Sequence, residues 1–386
     1  MDDGCGYRIR VFSAIAEVAA EDWDACAGAE NPFVSHAFLA ALEASGAVKA
    51  ETGWAPQHLA VEDEAGRLVG CAPAYLKSHS FGEYVFDHGW AEAYESAGGR
   101  YYPKLQISVP FTPVPGPRFL VRPDAPWSDV AEQLLGGAVA IARHYELSSA
   151  HITFCTEPEA RFCGARGFLL RTGEQFHWEN RDYPSFDGFL ADLASRKRKA
   201  VKRERREALG DDLSISLLSG AEITERHWDA MYRFYRDTGS RKWGRPYLNR
   251  SFFSELGRTL ADKVVLIFAM KEGQPIAGAL NLKDANTLYG RYWGATEDRP
   301  FLHFELCYYQ AIDYAIAHRL ARVEAGAQGP HKLARGYRPK PTYSAHWIAD
   351  AGFEDAVRRF LERERRAVAA EIAALDQHAP FRKETD

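Results

Sequence analysis

Four side chains suited to proton transfer or charge stabilisation lie within nine residues of one another: Glu324, Gln328, His331 and Lys332. They start in a short strand that is predicted at 322–325. A carboxylate or an imidazole can take the proton from an attacking amine, and a lysine or an amide can hold charge on a carbonyl oxygen. The spacing therefore indicates amide-forming chemistry, although His331 and Lys332 could equally lie on a solvated loop.

A repeated motif follows this group directly. Ala334-Arg335-Gly336-Tyr337 and His346-Trp347 match Ala165-Arg166-Gly167-Phe168 and His177-Trp178, with the same internal spacing and 169 residues apart. A repeat at this long period indicates two copies of one domain and not a solenoid of short units. Residues present in both copies are expected to serve the fold, whereas polar residues found only in the second copy are expected to carry the chemistry.

Amide formation needs a base for the acceptor amine, donors aimed at the oxyanion, and two substrates held in register. Glu324, on the predicted strand, and Glu305, at the start of a predicted helix, are the candidate bases, with His331 and His303 as alternatives. A carboxylate partly removed from water gains proton affinity, which suits a base that works near neutral pH.

Other residues of the second half are candidates for substrate binding: Lys332, Arg335, Gln328, Tyr308, Tyr309, Tyr343, His346 and Arg291. Lys332 and Arg335 could stabilise an oxyanion or a phosphate. Arg335 could equally brace its turn, because Arg166 occupies the same place in the first copy. Core packing is the alternative for each aromatic residue, and a structural role is the favoured interpretation of His346.

The two halves of the chain predict the same order of elements around these residues. The first half has a hairpin at 58–72, a helix at 128–146 and a strand at 150–155. The second half has strands at 263–270, 275–283 and 288–293, a helix at 304–319 and a strand at 322–325. The prediction is a first domain at 1–180, degenerate and with a Pro- and Gly-rich insertion at 91–126, and a second domain at 181–386 that carries the catalytic cleft.

Bulk composition sets limits on the class of protein. The 386 residues are 46% hydrophobic with a net charge of −5, which indicates folded cores and no overall affinity for DNA. The six cysteines form no CxxC pair, so no metal site is predicted and a reducing cytoplasm is expected. No signal sequence and no apolar run of membrane-spanning length is visible, so the expectation is a soluble cytoplasmic protein with no membrane span.

A basic helix is predicted at 190–208, between the two halves. Eight of the twelve residues from Ser195 to Arg206 are Lys or Arg, and an apolar stripe at helical spacing predicts that the opposite face is packed. The candidate nucleic-acid- or phosphate-binding residues are Arg196, Lys199, Lys202, Arg203 and Arg206. A solvated face that balances the acidic remainder of the chain is the alternative.

The duplicated pattern resembles the tandem acyltransferase fold of the Gcn5-related (GNAT) superfamily, and most closely the bacterial FemAB-like predicted N-acyltransferases. The residues that carry the resemblance are 303–310, 324–332, 334–337 and 342–347, together with 101–106 and 110–118 of the first half. It implies an α+β fold of two GNAT-like domains, each a mixed, mostly antiparallel sheet flanked by helices. It also adds Lys104, Gln106 and Arg118 as candidate substrate-binding residues.

The resemblance implies an N-acyltransferase that needs no bound cofactor and takes an activated acyl donor, either aminoacyl-tRNA or acyl-CoA. Acyl-CoA enzymes of this fold carry a Gly-rich turn for the pyrophosphate, but this chain has two acids and bulky residues at 294–303, so acyl-CoA is disfavoured. The expected partners are therefore tRNA and a small-molecule or cell-wall precursor amine. A non-catalytic tRNA- or nucleic-acid-binding module is the rival interpretation.

Overall fold

The computed structural model describes residues 6–242, 246–327 and 329–382. The α-helices are α1 (Ala20–Ala27), α2 (His36–Ala44), α3 (His88–Ser96), α4 (Trp127–His144), α5 (Glu157–Gly164), α6 (Phe186–Asp192), α7 (Ser195–Leu209), α8 (Glu225–Lys242), α9 (Arg250–Leu260), α10 (Leu302–Phe304), α11 (Gln310–Ala317) and α12 (Ala351–Gln377). A π-helical turn at Glu305–Tyr309 joins α10 to α11. Short 3-10 turns lie at Ile15–Glu17, Pro32–Val34, Ala50–Thr52, Gly220–Glu222, Ala261–Lys263 and Pro330–Arg335.

The strands are β1 (Arg8–Phe12), β2 (Trp54–Pro56), β3 (His58–Glu62), β4 (Leu68–Ala72), β5 (Ala74–Lys77), β6 (Lys104–Ile107), β7 (Leu120–Val121), β8 (Ser149–Cys155), β9 (Leu169–Glu179), β10 (Leu213–Ser219), β11 (Val264–Lys271), β12 (Gln274–Lys283), β13 (Thr287–Ala295), β14 (Arg322–Ala327) and β15 (Arg338–Ile348). Most neighbouring strands run antiparallel, and the pairs β6–β8 and β13–β14 are parallel. The mixed α+β fold class expected from the sequence is confirmed.

The chain divides into two compact units. Unit 1 comprises Met1–Gly173 and Thr342–Ala369, and unit 2 comprises Glu174–Pro341 and Ala370–Asp386. The segment Thr342–Ala369, which the sequence assigns to the second domain, therefore belongs to unit 1. The cause is strand pairing, since Tyr343–Ile348 of β15 lie antiparallel to β8.

Unit 1 contains two sets of strands. One is a four-stranded antiparallel sheet in the order β1-β3-β4-β7, and the other pairs β2, β5, β6, β8 and β15 in that order. Helix α4 covers the apolar side of these strands, where Val130, Leu134 and Ala138 pack against Leu59 and Ile152. The apolar residues of α4 recur at helical spacing, which explains why its bounds were predicted to within two residues.

Unit 2 contains a sheet in the order β10-β11-β12-β13-β14-β9. The central strands β11 and β12 are almost continuously apolar and buried, as expected for strands that are covered on both faces. Helix α8 lies so close to β13 that a Cβ at Gly294 would come within 2.0 Å of the carbonyl oxygen of Phe234. Gly294 therefore serves helix–sheet packing, which is a structural reason for a glycine at this position.

The repeated motif has the same backbone role in both units. Gly167 and Gly336 have φ angles of 89° and 90°, in the left-handed region that glycine adopts without steric cost. Each preceding arginine lies over a phenylalanine ring, Arg166 over Phe162 and Arg335 over Phe304. The Arg-Gly pairs of the two copies thus build the same turn, in agreement with a structural role for Arg335.

Candidate active site

A cavity of about 110 Å³ lies in unit 2, between strands β12 to β14 and the helical segment at 302–309. Six of the side chains that line it are Asn281, Arg291, Trp293, His303, Cys307 and Tyr308. The parallel pairing of β13 with β14 brings the end of β14 against this wall, and Ala325 of β14 also lines the cavity. Engineered cavities of comparable size, about 150 Å³, accept a molecule such as benzene, so this one has room for one small acyl group.

Glu324 precedes Ala325 on β14, and its carboxylate is buried in unit 2. Its Oε2 lies 3.8 Å from Nη2 of the cavity-lining Arg291, and its Oε1 lies 4.0 Å from Nε of Arg322. Among the described residues, Oε2 has no hydrogen-bond partner. Burial raises the pKa of Glu324 to about 7, because the two arginines offset only part of the loss of hydration. Glu324 thus has the protonation equilibrium of a general base for neutral pH.

His177 lies directly opposite Glu324 in the antiparallel pairing of β9 with β14. Side chains at directly opposed positions share one face of a sheet, so the two titratable groups are neighbours. Burial is the main cause that lowers the pKa of His177 to about 3, which keeps the imidazole neutral. Sequence reasoning did not select His177, because its presence in both motif copies indicated a fold residue.

Two aromatic side chains, Trp293 and Tyr308, lie beside the two histidines predicted as alternative bases. His331 Nε2 lies 2.9 Å from the hydroxyl of Tyr308, and the His303 ring lies 4.8 Å from that of Trp293 and 5.3 Å from that of Tyr308, centroid to centroid. The centroids of His303 and His331 are 6.3 Å apart. The structure therefore places both histidines beside Tyr308, and His303 and Tyr308 line the cavity.

Lys332 is buried in unit 2, and its ammonium reaches back to β14. Nζ donates hydrogen bonds to the carbonyl oxygens of Ala325 at 2.8 Å and Gly326 at 3.1 Å. Burial lowers the pKa of Lys332 to about 7, and the electrostatic effect of Cys307 partly opposes this shift. This placement differs from the solvated-loop alternative, because the amine lies against the strand that carries Glu324. Gln328, the fourth polar residue of this group, lies outside the described residues.

Arg335 and Glu305 are engaged in structural contacts with helix α7. The guanidinium of Arg335 donates to the carbonyl of His331 at 2.7 Å and to Oε2 of Glu204 at 2.8 Å. Glu305 has no solvent exposure, and its carboxylate accepts hydrogen bonds from Arg205 at 3.0–3.2 Å and from Gln310 at 2.7 Å. With its oxygens held in this way, Glu305 is a poorer candidate base than Glu324.

Lys104, Gln106 and Arg118 lie buried in unit 1, in internal networks. Nζ of Lys104 donates to Ser80 at 2.9 Å, to Glu83 at 2.7 Å and to Asp87, and Gln106 Nε2 donates to Thr153 at 2.8 Å. Arg118 donates to the backbone carbonyls of Thr153, Gly116 and Pro117 at 2.9–3.1 Å, which holds the Pro-rich loop. The guanidinium of Arg118 is thus occupied by its own chain.

Tyr343 and His346 lie on the part of β15 that belongs to unit 1. Nδ1 of His346 lies 2.7 Å from Nδ1 of His151, and Nε2 lies 3.0 Å from the hydroxyl of Ser344. Burial lowers the pKa of His346 well below its usual range, so the imidazole is neutral. Tyr343 is half-buried against the core of unit 1. These contacts agree with the favoured structural interpretation of His346.

Helix α7 has a packed face and a cationic face. Val201 and Ala208 are buried in unit 2, whereas the five predicted phosphate-binding residues are exposed: Arg196, Lys199, Lys202, Arg203 and Arg206. Lys202 pairs with Asp187 at 2.9 Å, and Arg203 lies 3.7 Å from Glu207. Surface pairs of this kind are weak and are exchanged easily for a phosphate. The helix therefore presents a row of cations to solvent.

The segment between β13 and α10 lacks the features of a pyrophosphate cradle. Glu297 and Asp298 place two acids there, Lys271 lies 3.1 Å from the Glu297 carboxylate, and Arg299 pairs with Asp212 at 2.7 Å. The following helical turn, α10, has only three residues before the π-helical turn begins. An anion site at a helix N-terminus requires open backbone N–H groups and little negative charge nearby.

Two negative findings apply to the described part of the chain. Within residues 6–242, 246–327 and 329–382, no group of three or more His, Cys, Asp or Glu side chains is arranged to bind a metal ion. None of the helices described there has the length and apolar character needed to cross a membrane.

A family model described as FemAB-like, peptidoglycan biosynthesis/recognition, matches residues 14–383 of the chain. No curated protein matches the chain. The match covers both units, including the residues of the cavity in unit 2.

Solved structures share the fold. The crystal structure of FemX aligns with a TM-score of 0.56 at 13% identity, over 88% of this chain and 98% of FemX. The C-terminal domain of a putative lysylphosphatidylglycerol synthetase from Agrobacterium fabrum gives 0.54 at 10% identity, over 89% and 96%. A tandem GNAT protein from the clavulanic acid biosynthesis pathway gives 0.46 at 14% identity, over 90% and 99%. The FemX fold extends over nearly the whole chain, in agreement with the family match, and identities this low extend no further than the fold.

Proposed function

This chain belongs to the FemAB-like family, and on that premise we propose that it is an N-acyltransferase that forms an amide on an amine acceptor. The favoured donor is an aminoacyl-tRNA. The family description supports a peptidoglycan precursor as the acceptor, because such precursors carry amines on their peptides.

The observation that carries the proposal is the buried Glu324 beside the cavity of unit 2. A carboxylate with a pKa of about 7 is half deprotonated at neutral pH, and it can take the proton from an ammonium acceptor. Its neighbour Arg291 lines the cavity, and the ammonium of Lys332 donates to the carbonyl of Ala325 on the strand that carries Glu324. These two cations are the candidate donors to the oxyanion that forms when the amine attacks the acyl carbonyl.

The cationic face of α7 supports the choice of donor. Lysine and arginine side chains that displace counterions from a phosphate backbone supply most of the sequence-independent affinity for nucleic acid. Helix α7 is also joined to the site, because Arg205 on its inner side binds Glu305 of the π-helical turn that carries Cys307 and Tyr308. The acidic segment at Glu297 and Asp298 makes a pyrophosphate-containing donor such as acyl-CoA less suitable.

Single-turnover amide formation tests the proposal. The enzyme is mixed with aminoacyl-tRNA and a soluble peptidoglycan precursor that carries an amine, and the product is followed by mass spectrometry. Removal of a general base costs about 10²- to 10⁴-fold in rate, so Glu324→Gln is expected to lose at least 100-fold. His331→Ala, which removes the partner of Tyr308, is expected to lose less. If both variants are folded and keep the original rate, the active site does not lie at this cavity.

A further inference from the structure

One sheet of unit 1 has a buried polar face. Trp54, Lys77 and Lys104 lie directly opposite one another on the neighbouring strands β2, β5 and β6. Their sequence neighbours Leu76 and Leu105 belong to the apolar core that α4 covers, and successive side chains of a strand point to opposite faces. The two lysines therefore lie on the face away from α4, and neither side chain has any exposed surface.

Residues 78–88, the covering segment, close this face with an inverted arrangement of side chains. Glu83 and Asp87 are each 3% exposed, whereas Phe81 and Phe86 are 57% and 49% exposed. A surface segment ordinarily buries its apolar residues and exposes its charges, because the opposite placement costs free energy for both. Lys104 holds the segment in place, since its ammonium donates to Glu83 at 2.7 Å and to Asp87. The covering segment thus delivers two carboxylates to the polar face.

Hydrogen bonding on this face is incomplete. Among the described residues, Oε1 of Glu83, Oδ1 of Asp87 and Nε1 of Trp54 have no hydrogen-bond partner. The ammonium of Lys77 lies 3.6 Å from the centroid of the Trp54 ring and 3.8 Å from Oε1 of Glu83, which is beyond hydrogen-bond distance. Buried polar atoms in folded proteins nearly always have partners, so three such atoms on one face point to a ligand that supplies them.

The ion pair between Lys77 and Glu83 does not offset the cost of burying its two charges. Burial is the main cause that lowers the pKa of Lys77 to about 7 and raises that of Glu83 to about 7. A buried ion pair stabilises a protein only when its geometry is good and further hydrogen bonds satisfy the remaining atoms. A ligand that brought a carboxylate to Lys77 and an ammonium to Glu83 would supply what this pair lacks.

We propose that this face of unit 1 binds a small zwitterionic α-amino acid. Glu83 and Asp87 offer acceptor oxygens for the ammonium of the ligand, and Lys77 and Nε1 of Trp54 offer donors for its carboxylate. The face carries two lysines and two carboxylates and thus has no net charge, which suits a ligand with one charge of each sign. The inference goes beyond the amide-forming reaction proposed for unit 2 and does not rest on it.

Close packing limits the size of the ligand. A Cβ at Gly82 of the covering segment would come within 2.7 Å of the Phe111 ring and 3.4 Å of the Trp54 ring. Only a short side chain fits so near these rings, so glycine and alanine are the expected ligands. Because Glu83 and Asp87 are almost fully buried, the covering segment must open to admit the ligand and then close over it.

Isothermal titration calorimetry of the full-length protein tests the proposal with glycine and L-alanine as probes. We expect one equivalent of at least one of them to bind. Analogues that lack one charge, acetate and glycinamide for glycine or propionate and L-alaninamide for L-alanine, should bind at least 10-fold more weakly, because each leaves buried polar groups of the site unpaired. Equal affinity for the single-charge analogues, or no binding of either amino acid, would overturn the inference.

Variants locate the binding in unit 1. Glu83→Gln removes the charge that faces the ammonium, and Trp54→Phe removes the indole donor while keeping an aromatic ring. Each is expected to weaken binding at least 10-fold. Glu62→Gln is the matched control, because Glu62 is a buried carboxylate of unit 1 that pairs with Arg10 at 2.7 Å on the other sheet, and it should keep the original affinity. Unchanged affinity in folded Glu83→Gln and Trp54→Phe would place the ligand elsewhere and overturn the inference.

Hydrogen–deuterium exchange on the unmodified protein gives a readout that does not depend on the folding of any variant. Saturating L-alanine or glycine, whichever binds, should slow amide exchange within residues 78–88, because the covering segment closes over the ligand. Exchange that stays unchanged there would contradict the proposed site. Thermal unfolding shows which variants are folded. The amide-forming activity of unit 2 is measured separately, so that either proposal can fail while the other stands.

Discussion

Glu324 and Lys332 change protonation state in the same pH range, although their usual pKa values are far apart. Burial is the main cause in both, since it favours the neutral carboxylic acid of Glu324 and the neutral amine of Lys332. Both pKa values move to about 7. Because the two pKa values are nearly equal, Glu324 can be deprotonated while Lys332 is still protonated only in a narrow pH interval.

The pH dependence of kcat/KM should therefore be bell-shaped with a maximum near pH 7. The rate rises as Glu324 loses its proton and becomes a base, and it falls as Lys332 loses its proton and its charge. Lys332→Arg, which stays protonated at high pH, should extend the activity to higher pH. Glu324→Gln should abolish the rising limb at low pH. A profile that keeps both limbs in both variants would show that other groups titrate.

Residue types and spacing predicted part of the site. The difference between the motif copies pointed to Glu324, His331 and Lys332, and the structure places each of them in contact with, or next to, a residue that lines the cavity of unit 2. The partners of Glu305, Lys104 and Arg118 could not be predicted, because each is joined to a residue distant in sequence.

The two faces of helix α7 make different contacts. The outer face carries the exposed cations, and the inner face carries Glu204 and Arg205, which bind Arg335 and Glu305. Arg205 also pairs with Asp313 of α11 at 2.9 Å. Because Glu305 begins the π-helical turn, Arg205 fixes the segment that presents Cys307 and Tyr308 to the cavity.

Loss of Arg205 should be costly. Arg205→Met leaves the buried Glu305 carboxylate without its cation, and removing one partner of a buried pair costs about 3 to 5 kcal/mol of unfolding free energy. Lys202→Met on the same helix is the matched control, because Lys202 and Asp187 are exposed and such pairs contribute about 1 kcal/mol or less. Urea denaturation measures both. Equal losses in the two variants would contradict the role given to Arg205.

Local pattern predicted most elements but not their irregularities. The helix expected at 304–319 is present as α10, the π-helical turn and α11, since one inserted residue is not visible in an apolar pattern of period 3.6. The insertion at 91–126 contains the end of α3 and the strands β6 and β7 as well as loops. The placement of Thr342–Ala369 in unit 1 depends on pairing between β15 and β8, which are far apart in sequence.

At the scale of the whole molecule, the net charge of −5 hides a local excess of positive charge on α7. A protein of negative net charge binds nucleic acid only through such a concentrated face. The proposed donor therefore requires that tRNA affinity depend strongly on salt.

We expect the logarithm of the association constant for tRNA to fall with the logarithm of the salt concentration with a slope of about −3 to −4. The affinity then falls roughly 100-fold from 50 to 200 mM salt. Neutralising three exposed cations of α7 with Arg196→Gln, Lys199→Gln and Arg206→Gln should reduce the slope by about 2 to 3. The matched control substitutes three exposed cations of unit 1, Arg8, Lys49 and Arg100, with Gln. Fluorescence anisotropy of labelled tRNA measures each slope, and equal slopes for both triple variants would exclude α7 as the binding face.

The most direct test of the central claim is the donor preference of amide formation. Aminoacyl-tRNA and acetyl-CoA are offered to the protein in parallel single-turnover reactions, each with the same amine-bearing peptidoglycan precursor. The account predicts amide product from aminoacyl-tRNA, at least 100-fold less of it with Glu324→Gln, and little or none from acetyl-CoA. Equal or faster transfer from acetyl-CoA, or transfer that survives Glu324→Gln in a folded protein, would contradict it.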